Sequence, residues 1–431
     1  MLRQERPTQA RGRRKFLRLL GGVAAAGAAG IGFQAQAASG RVVVIGGGFG
    51  GATAAKYIRL WSTGIEVTLV ERDAEFVSCP LSNRILAGTT TLADLTRGYD
   101  QLSGRHGVAV LRDEATDIDV EKQIVTLASG RKLPYDRLIV SAGLDLDYSG
   151  IPGLKSAAAR ERVLHAWKAG PQTVALRQQI EAMPDGGVFA MTVPVAPYRC
   201  PPGPYERACQ VAWYFKLNKP KSKVLILDAN QKVASKGALF QQAWDELYPG
   251  LVEYVPNSEL ADVDAANLTA KLLFDDVKAD VLNVIPPMKA AAIAERAGLI
   301  TANHKWCGVD FLSYESLAQK NVHVLGDAVL AAPLMPKSGH MANQHAKVCA
   351  AAVIALLRGD AVNQHPMINN TCYSFVSGAD AMHIASVHRY DPEKKTMLPV
   401  PDSGGLSVAP NELEGRYAEA WARNIWADML G

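Results

Sequence analysis

The chain has 431 residues, of which 48% are hydrophobic, 7% aromatic and 20% charged. This composition excludes an intrinsically disordered protein and provides enough apolar surface for two or three packed domains. Residues 1–37 hold seven Lys and Arg and one Glu, so the formal net charge of +4 leaves the remaining residues near −2. Because that remainder is slightly acidic and has no basic run, we expect no nucleic-acid partner.

The N-terminus has the pattern of an export signal. The basic sequence RRKFLR at 13–18 is followed by a Gly- and Ala-rich apolar stretch at 19–33 and by the small-x-small sequence AQA at 35–37. This order predicts a twin-arginine signal peptide at residues 1–37 and a periplasmic location. A membrane anchor is the alternative, but the apolar stretch is shorter than the roughly 20 residues of a spanning helix.

Six cysteines are present, and none of them has a CxxC or CxxCH spacing. The sequence therefore predicts no metal site and no covalently bound haem in this chain. Three of the six lie in apolar or helical contexts, where we expect buried thiols without a chemical role. These three are Cys209, Cys307 and Cys349.

A dinucleotide-binding unit is predicted near the start of the mature chain. A β-branched strand at 41–45 leads into GGGFGG, a helical pattern follows, and a second strand at 65–70 ends at Glu71. Glycines in this turn let the backbone approach a pyrophosphate at the helix N-terminus, and the acid accepts hydrogen bonds from a ribose. The binding residues predicted for this unit are Gly46, Gly48, Gly51 and Glu71.

Two later strands end in small-residue turns, DRLIVSAG at 136–143 and VHVLGDA at 322–328. Both segments resemble those of two-domain flavin disulfide reductase-like proteins. The resemblance implies FAD as the cofactor, with Gly143 in the binding turn and the Asp327 carboxylate on the ribityl chain. The alternative for Asp327 is a strand-end carboxylate that caps a helix.

A second βαβ-like unit lies between these segments, with strands at 187–193 and 223–228 and a helix at 206–217. Its architecture resembles a nicotinamide domain. However, the connection at 194–204 holds five prolines and a cysteine where such a domain needs glycines. Proline removes backbone N–H donors, so we expect no binding of NAD(P)H.

The predicted fold class is α/β, with two Rossmann-like βαβ domains of the glutathione reductase type and a small C-terminal α+β interface domain. The FAD-binding domain is expected to be discontinuous, and the second domain to lack a nucleotide loop. The expected ranges are 39–155 and 285–358 for the FAD domain, 156–284 for the second domain and 359–431 for the C-terminal domain.

Five segments of the mature chain together resemble the flavoprotein subunit of flavocytochrome c sulfide dehydrogenase. They occur in the same order and at similar separations as in that family. The segments are SCPLSN (78–83), YRCPPGPYER (198–207), MPKSGHMANQHAKV (335–348), NNTCYS (369–374) and PDSGG (401–405). One departure is Pro80, which follows Cys79 where the family usually has an aromatic residue.

The resemblance implies a role for each of five residues. Cys79 would form a thioether with the 8α-methyl group of FAD, and Cys200 and Cys372 a redox-active disulfide against the isoalloxazine. Glu206 would exchange a proton during sulfur transfer, although a first-turn acid that complements the helix dipole is an equal alternative. Lys337 would place positive charge near the flavin pyrimidine. Because Cys200 precedes a predicted helix, we also expect the helix dipole to lower its thiol pKa.

The implied reaction is sulfide oxidation, in which hydrosulfide attacks the disulfide and electrons pass to FAD. Since the chain has no haem motif, the resemblance further implies a separate c-type cytochrome subunit. A sulfide:quinone oxidoreductase-like flavoenzyme is the main alternative. An NADH-using disulfide reductase, and a flavin-bearing assembly subunit with a purely structural disulfide, are further alternatives.

Overall fold

The computed structural model describes residues 39–431, so the predicted signal peptide lies outside the described residues. Helices alternate with strands through most of this range. The α-helices are, in chain order, α1 (Phe49–Trp61), α2 (Asn83–Ala87), α3 (Asp100–Gly104), α4 (Ala157–Arg162), α5 (Pro171–Ala182), α6 (Gly203–Asn218), α7 (Gly237–Leu247), α8 (Ala292–Arg296), α9 (Gly339–Arg358) and α10 (Glu412–Leu430). Short 3-10 helices span Ala93–Leu95, Pro152–Leu154 and Gly326–Ala328.

The first large sheet has seven strands among the described residues, with Gly40–Ile45 at the centre of its five-stranded parallel part. That strand is apolar because both faces of the sheet are covered, and it pairs in parallel with a strand on each side. Helix α1 returns over one face and packs against α9. The strands, in spatial order, are Val309–Asp310, Glu315–Ser316, Val322–Val324, Arg137–Val140, Gly40–Ile45, Ile65–Glu71 and Ala109–Arg112.

The second large sheet has four parallel strands. Its central pair, Val188–Val193 and Lys223–Asp228, is connected through helix α6. The structure therefore confirms the second Rossmann-like unit, whose strands start and end within one residue of the expected positions. In spatial order the strands are Val252–Val255, Lys223–Asp228, Val188–Val193 and Val281–Val284.

The C-terminal region is an antiparallel sheet followed by helix α10. Its long hairpin joins Met367–Phe375 to Ala381–Asp391, which also pairs with Thr396–Pro399 and Gly405–Leu406. The confirmed fold class is thus α/β with two Rossmann-like units and an α+β C-terminal part. Within residues 39–431, no helix is both long enough and apolar enough to cross a membrane.

Smaller sheets complete the strand inventory. Three of them have two strands each and pair Phe76–Val77 with Thr96–Arg97, Leu144–Leu146 with Met288–Ala290, and Ile300–Ala302 with Trp306–Cys307. One three-stranded sheet consists of Ala115–Asp119, Ile124–Leu127 and Lys132–Pro134. The other consists of Leu260–Asp264, Thr269–Leu272 and Asp276–Lys278.

The turn between strand Gly40–Ile45 and helix α1 depends on two of the predicted glycines. Gly46 has a φ of +93°, and a Cβ at this position would lie 2.5 Å from the Ser141 carbonyl oxygen. A Cβ on Gly51 would lie 1.8 Å from the Gly46 carbonyl oxygen. Gly48 differs from both, since a Cβ there would meet no protein atom within 4 Å.

We predict that Gly51→Ala destabilises the apoprotein by about 3 kcal/mol, because the added methyl group must displace backbone. Gly48→Ala is the matched control and should leave the thermal unfolding temperature of the apoprotein unchanged. Differential scanning calorimetry of both variants checks this. Equal unfolding temperatures for Gly51→Ala and the unsubstituted apoprotein would contradict the packing described for this turn.

Candidate active site

The carboxyl ends of the first sheet open into a cavity of about 800 Å³. Such a volume suits a ligand of cofactor size. Residues from both Rossmann-like units and from the C-terminal hairpin line it. The predicted site residues among its lining are Gly46, Gly48, Glu71, Cys79, Gly143, Cys200, Glu206, Asp327 and Cys372. Gly51 instead lies behind the turn, against Gly46.

Glu71 is fixed at the nucleotide end of the cavity. Its Oε2 accepts a hydrogen bond from the Gly47 N–H at 2.5 Å, and its Oε1 accepts one from the Asp73 N–H at 2.9 Å. Each carboxylate oxygen has further lone pairs, so both can still accept a hydrogen bond from a ribose hydroxyl group.

Gly48 is the N-cap residue of helix α1 and offers no side-chain cap. The first backbone N–H groups of the helix are therefore left for a phosphate.

Asp327 lies where the cavity passes between the first sheet and helix α9. It belongs to the 3-10 helix Gly326–Ala328 that follows strand Val322–Val324. Its Oδ1 is buried and has no hydrogen-bond partner among residues 39–431. A buried carboxylate oxygen without a donor is costly, so this atom fits a ligand that supplies a hydroxyl group.

Cys200 and Cys372 meet at the cavity wall although they are far apart in the sequence. Cys200 comes from the proline-rich loop before α6, and Cys372 from the hairpin strand Met367–Phe375; their thiols are in hydrogen-bonding contact. Cys200 has a left-handed φ of +57°. Its N–H donates to the Lys337 carbonyl oxygen at 2.9 Å, and its carbonyl accepts from the Gly203 N–H at 2.8 Å.

The two thiols have opposite shifts of pKa. The hydrogen bond between them, together with burial, raises the pKa of Cys200, whereas the same hydrogen bond lowers the pKa of Cys372, aided by the charge of Lys236. The expectation that the helix dipole lowers the pKa of the Cys200 thiol is therefore wrong. The contact with Cys372 and burial outweigh the dipole of a helix that begins only at Gly203.

Glu206 lies buried beside the cysteine pair, in the first turn of α6. Its Oε1 accepts a hydrogen bond from the Phe375 N–H at 2.9 Å, and its Oε2 accepts one from Asn83 Nδ2 at 2.8 Å. Burial raises the pKa of its carboxyl group, which brings it closer to the range in which a group can take up and release a proton near neutral pH. The neighbouring Arg207 is also buried and donates to Asn83 Oδ1 at 3.1 Å.

Cys79 faces the cavity from the segment after strand Phe76–Val77. Its half-buried sulfur accepts a long hydrogen bond of 3.5 Å from the Ala169 N–H. Arg199 lines the cavity too, and its guanidinium donates to the Trp167 carbonyl oxygen. Burial opposes its charge, but the negative potential of Cys79, Asp327 and Cys200 raises its pKa on balance.

Lys337 is not among the residues that line this cavity. Its ammonium donates to the carbonyl oxygens of Asp327 at 2.9 Å and Val329 at 2.5 Å, and lies 3.7 Å from the centre of the Trp306 ring. Burial lowers its pKa to about 8. Lys337 thus supports the backbone next to Asp327, whereas Arg199, Arg207 and Lys168 are cationic residues that line the cavity.

Sequence reasoning missed three residues of the site. Arg199 lies next to Cys200 in YRCPP, and a cation beside a reactive thiol is a signal that could have identified it. Asn83 lies in the SCPLSN segment but has no distinguishing feature there. Lys236 lies in an ordinary polar stretch, so nothing local in the sequence points to it. The expectation that Cys209, Cys307 and Cys349 are buried is confirmed.

Comparison with known protein families decides between the alternatives for the family. The model described as "Sulfide dehydrogenase [flavocytochrome c] flavoprotein chain, central" matches residues 173–286, and "Flavocytochrome c sulphide dehydrogenase, flavin-binding" matches 364–430. The Chlorobaculum thiosulfatiphilum sulfide dehydrogenase [flavocytochrome c] flavoprotein chain is 60% identical over 45 residues, which are 10% of this chain and 94% of that sequence. The chain belongs to this flavoprotein family.

More distant relatives share the fold of the family. A pyridine nucleotide-disulphide oxidoreductase model matches residues 40–179. The mitochondrial sulfide:quinone oxidoreductase of Dictyostelium discoideum is 24% identical over 304 residues, so the match covers 67% of this chain but only 65% of that protein. The solved sulfide:quinone oxidoreductase of Aquifex aeolicus superposes with a TM-score of 0.74 at 18% identity, covering 90% of this chain and 91% of that one.

The lining of the cavity fits the FAD that the flavin-binding family model indicates. The glycine turn and the N-terminus of α1 would hold the pyrophosphate, and Glu71 the adenosine ribose. The unpartnered Oδ1 of Asp327 would accept a ribityl hydroxyl. Cys79, Arg199 and the cysteine pair then remain for the flavin ring end of the cavity.

We predict that Asp327→Asn lowers FAD affinity by about tenfold to a hundredfold, because it removes a charged hydrogen-bond acceptor from a buried position. Asp117→Asn, at an exposed surface position, is the control. The affinity is measured by titrating apoprotein with FAD in a Cys79→Ser background, so that a covalent link cannot mask the difference. Equal affinities for the two variants would contradict the role assigned to Asp327.

Proposed function

We propose that the chain is the flavoprotein of a periplasmic sulfide-oxidising enzyme that passes electrons to a c-type cytochrome subunit. The observation that carries this proposal is the contact between Cys200 and Cys372 in the wall of the cavity that Cys79 and Asp327 also line. Two thiols in contact can form a disulfide, and a disulfide beside a flavin can exchange electrons with it. The family supports both the substrate and the partner.

In the proposed reaction, hydrosulfide attacks one sulfur of a Cys200–Cys372 disulfide. A new S–S bond forms as a persulfide, the original S–S bond breaks, and its electron pair stays on the other sulfur as a thiolate. FAD supplies a two-electron acceptor that can release electrons singly. A nucleophile such as a second hydrosulfide removes the outer sulfur at the zero oxidation level and leaves a second cysteine thiolate. The two thiolates then re-form the disulfide by losing two electrons, for which FAD would be the acceptor, and Glu206 holds the proton that hydrosulfide loses.

We further propose that Cys79 carries FAD through a thioether. Its sulfur faces the cavity, and the only contact described for it is the long hydrogen bond from Ala169. Pro80, where the family has an aromatic residue, is itself in the cavity lining and leaves the sulfur facing inward. A covalent link would retain the cofactor in an exported protein, in agreement with the export signal proposed for residues 1–37.

The second Rossmann-like unit supports the exclusion of NAD(P)H. Asp228 ends strand Lys223–Asp228, where a nicotinamide domain would have its ribose-binding acid, and it is fully buried. Its Oδ2 accepts hydrogen bonds from the hydroxyl groups of Tyr205 at 2.7 Å and Tyr254 at 3.0 Å. Its Oδ1 accepts two more from Asn230. This carboxylate is therefore saturated by the protein itself.

A sulfide:quinone oxidoreductase-like activity is the second candidate, because the Aquifex aeolicus enzyme shares the fold over nine tenths of the chain. The two candidates differ only in the electron acceptor. Steady-state assays with sulfide and either oxidised cytochrome c or a soluble quinone separate them. Faster reduction of the quinone would favour the second candidate.

We predict that Cys200→Ser and Cys372→Ser each slow the reduction of bound flavin by sulfide roughly a hundredfold or more, because each removes one sulfur of the exchanging pair. Cys209→Ser, at a fully buried position on α6, is the matched control. Anaerobic stopped-flow absorbance measures the rate. Undiminished reduction in either variant, with flavin content unchanged, would show that sulfide reaches flavin without the disulfide.

Mixing the oxidised protein with NADH under the same anaerobic conditions should leave the flavin absorbance unchanged, because Asp228 has no free acceptor for a second ribose. Sulfide added afterwards serves as the positive control. Rapid bleaching by NADH would overturn the exclusion and favour an NADH-using disulfide reductase.

A further inference from the structure

The most unusual charge near the cysteine pair is the ammonium group of Lys236. This residue precedes helix α7 in the second Rossmann-like unit, has a left-handed φ of +57° and is only 4% exposed. Its side chain reaches beneath the C-terminal hairpin. There Nζ donates to the Cys372 carbonyl oxygen at 2.9 Å, to Ser374 Oγ at 2.8 Å and to the Met382 carbonyl oxygen at 3.5 Å.

All three of these partners are neutral, and Lys236 is in none of the ion pairs found within residues 39–431. A buried ammonium without a carboxylate is expensive, and burial accordingly lowers the pKa of Lys236. The negative charge that the proposed reaction generates on the Cys372 sulfur would arise on the same residue whose carbonyl oxygen this ammonium contacts. The cation and the developing thiolate would then stabilise each other.

We propose that Lys236 is a positioning residue that selects Cys372 as the thiolate of the pair, an inference that rests on the proposed function. It fixes the Cys372 backbone through the carbonyl hydrogen bond and places a buried positive charge beside Cys372. Sulfide attack is then directed to Cys200 Sγ. The S–S bond breaks, its electron pair stays on Cys372, and the persulfide forms on Cys200.

The other charged groups around the pair do not make this selection. Glu206, which approaches from α6, raises the pKa of both thiols. Arg199 acts on Cys200 and so favours the opposite assignment. Glu414, from the first turn of α10, acts on Lys236 rather than on the thiols. Lys236 is therefore the cation that is hydrogen-bonded to the Cys372 backbone, and its interaction with Cys372 is larger than its interaction with Cys200.

The test measures thiol ionisation directly. The holoprotein is reduced, treated with iodoacetamide over a range of pH, and analysed by peptide mass spectrometry for alkylation at Cys372 and Cys200. In the unsubstituted protein we expect Cys372 to be alkylated first, with an apparent pKa below that of a free thiol. Preferential alkylation of Cys200 at low pH would overturn the proposal without any variant.

Lys236→Gln keeps two N–H donors but removes the charge, and Lys236→Arg keeps both the donors and the charge. We expect Lys236→Gln to move the alkylation of Cys372 to higher pH by about one unit or more, and Lys236→Arg to leave it nearly unchanged. The surface control is Lys223→Gln, since Lys223 also donates to a carbonyl oxygen, that of Gly250 at 2.7 Å.

A purely structural role gives a different result. In that case Lys236→Gln would lower stability or overall rate while the pH profile of Cys372 stayed in place, and this outcome would overturn the proposal. The assay uses protein reduced by a dithiol, so it gives an answer even if sulfide does not react. If sulfide does not reduce the flavin but Cys372 is alkylated at the expected low pH, that result would contradict the proposed function and leave the role of Lys236 intact.

Discussion

The docking of the C-terminal hairpin onto the second Rossmann-like unit controls the chemistry of this protein. Buried polar side chains of that unit bind the backbone of the hairpin. Glu206 accepts from the Phe375 N–H at 2.9 Å, Gln210 donates to the carbonyl oxygens of Phe375 and Ser377 at 3.3 and 2.9 Å, and Tyr248 donates to that of Val376. Losing one partner of a buried hydrogen bond costs about 1–3 kcal/mol, so together these contacts hold Cys372 against Cys200.

This arrangement also gives the second unit a new use. In a nicotinamide-binding domain the turn after the first strand and the acid after the second face a nucleotide. Here the first of these positions carries the proline-rich loop with Cys200, and the second, Asp228, is saturated by two tyrosine hydroxyl groups and by the backbone and side chain of Asn230. The unit retains its parallel sheet and helix but serves as the support for one half of the cysteine pair and for the groups that surround it.

Much of the fold could be predicted from the sequence, because the signals are local. The strand, glycine turn, helix and acid from 41 to 71 follow one another directly, and the strand Lys223–Asp228 was predicted at its observed bounds. Burial of three cysteines also followed from their apolar surroundings. The pairing of Cys200 with Cys372 could be inferred only from the family resemblance, since 171 intervening residues carry no local signal for it.

The electrostatics of the site were the least predictable part. The helix dipole predicts a lowered pKa for the Cys200 thiol, but the direct contact with Cys372 and burial raise it. Lys337 matched a family segment, yet its side chain turns to the backbone of Asp327 instead of the cavity. The cations near the cysteine pair are instead Arg199, which lines the cavity, and Lys236, which contacts the Cys372 backbone. Each of these results depends on which side chains meet in three dimensions, and spacing along the chain does not determine that.

The account is tested most directly by peptide mass spectrometry of the purified, oxidised protein, digested before and after addition of sulfide in equimolar amount. It predicts a peptide pair joined through Cys200 and Cys372 before sulfide is added, FAD on the peptide that contains Cys79, and a persulfide on one cysteine of the pair afterwards. Free thiols at both positions in the oxidised protein, or a bridge that sulfide leaves intact, would contradict it.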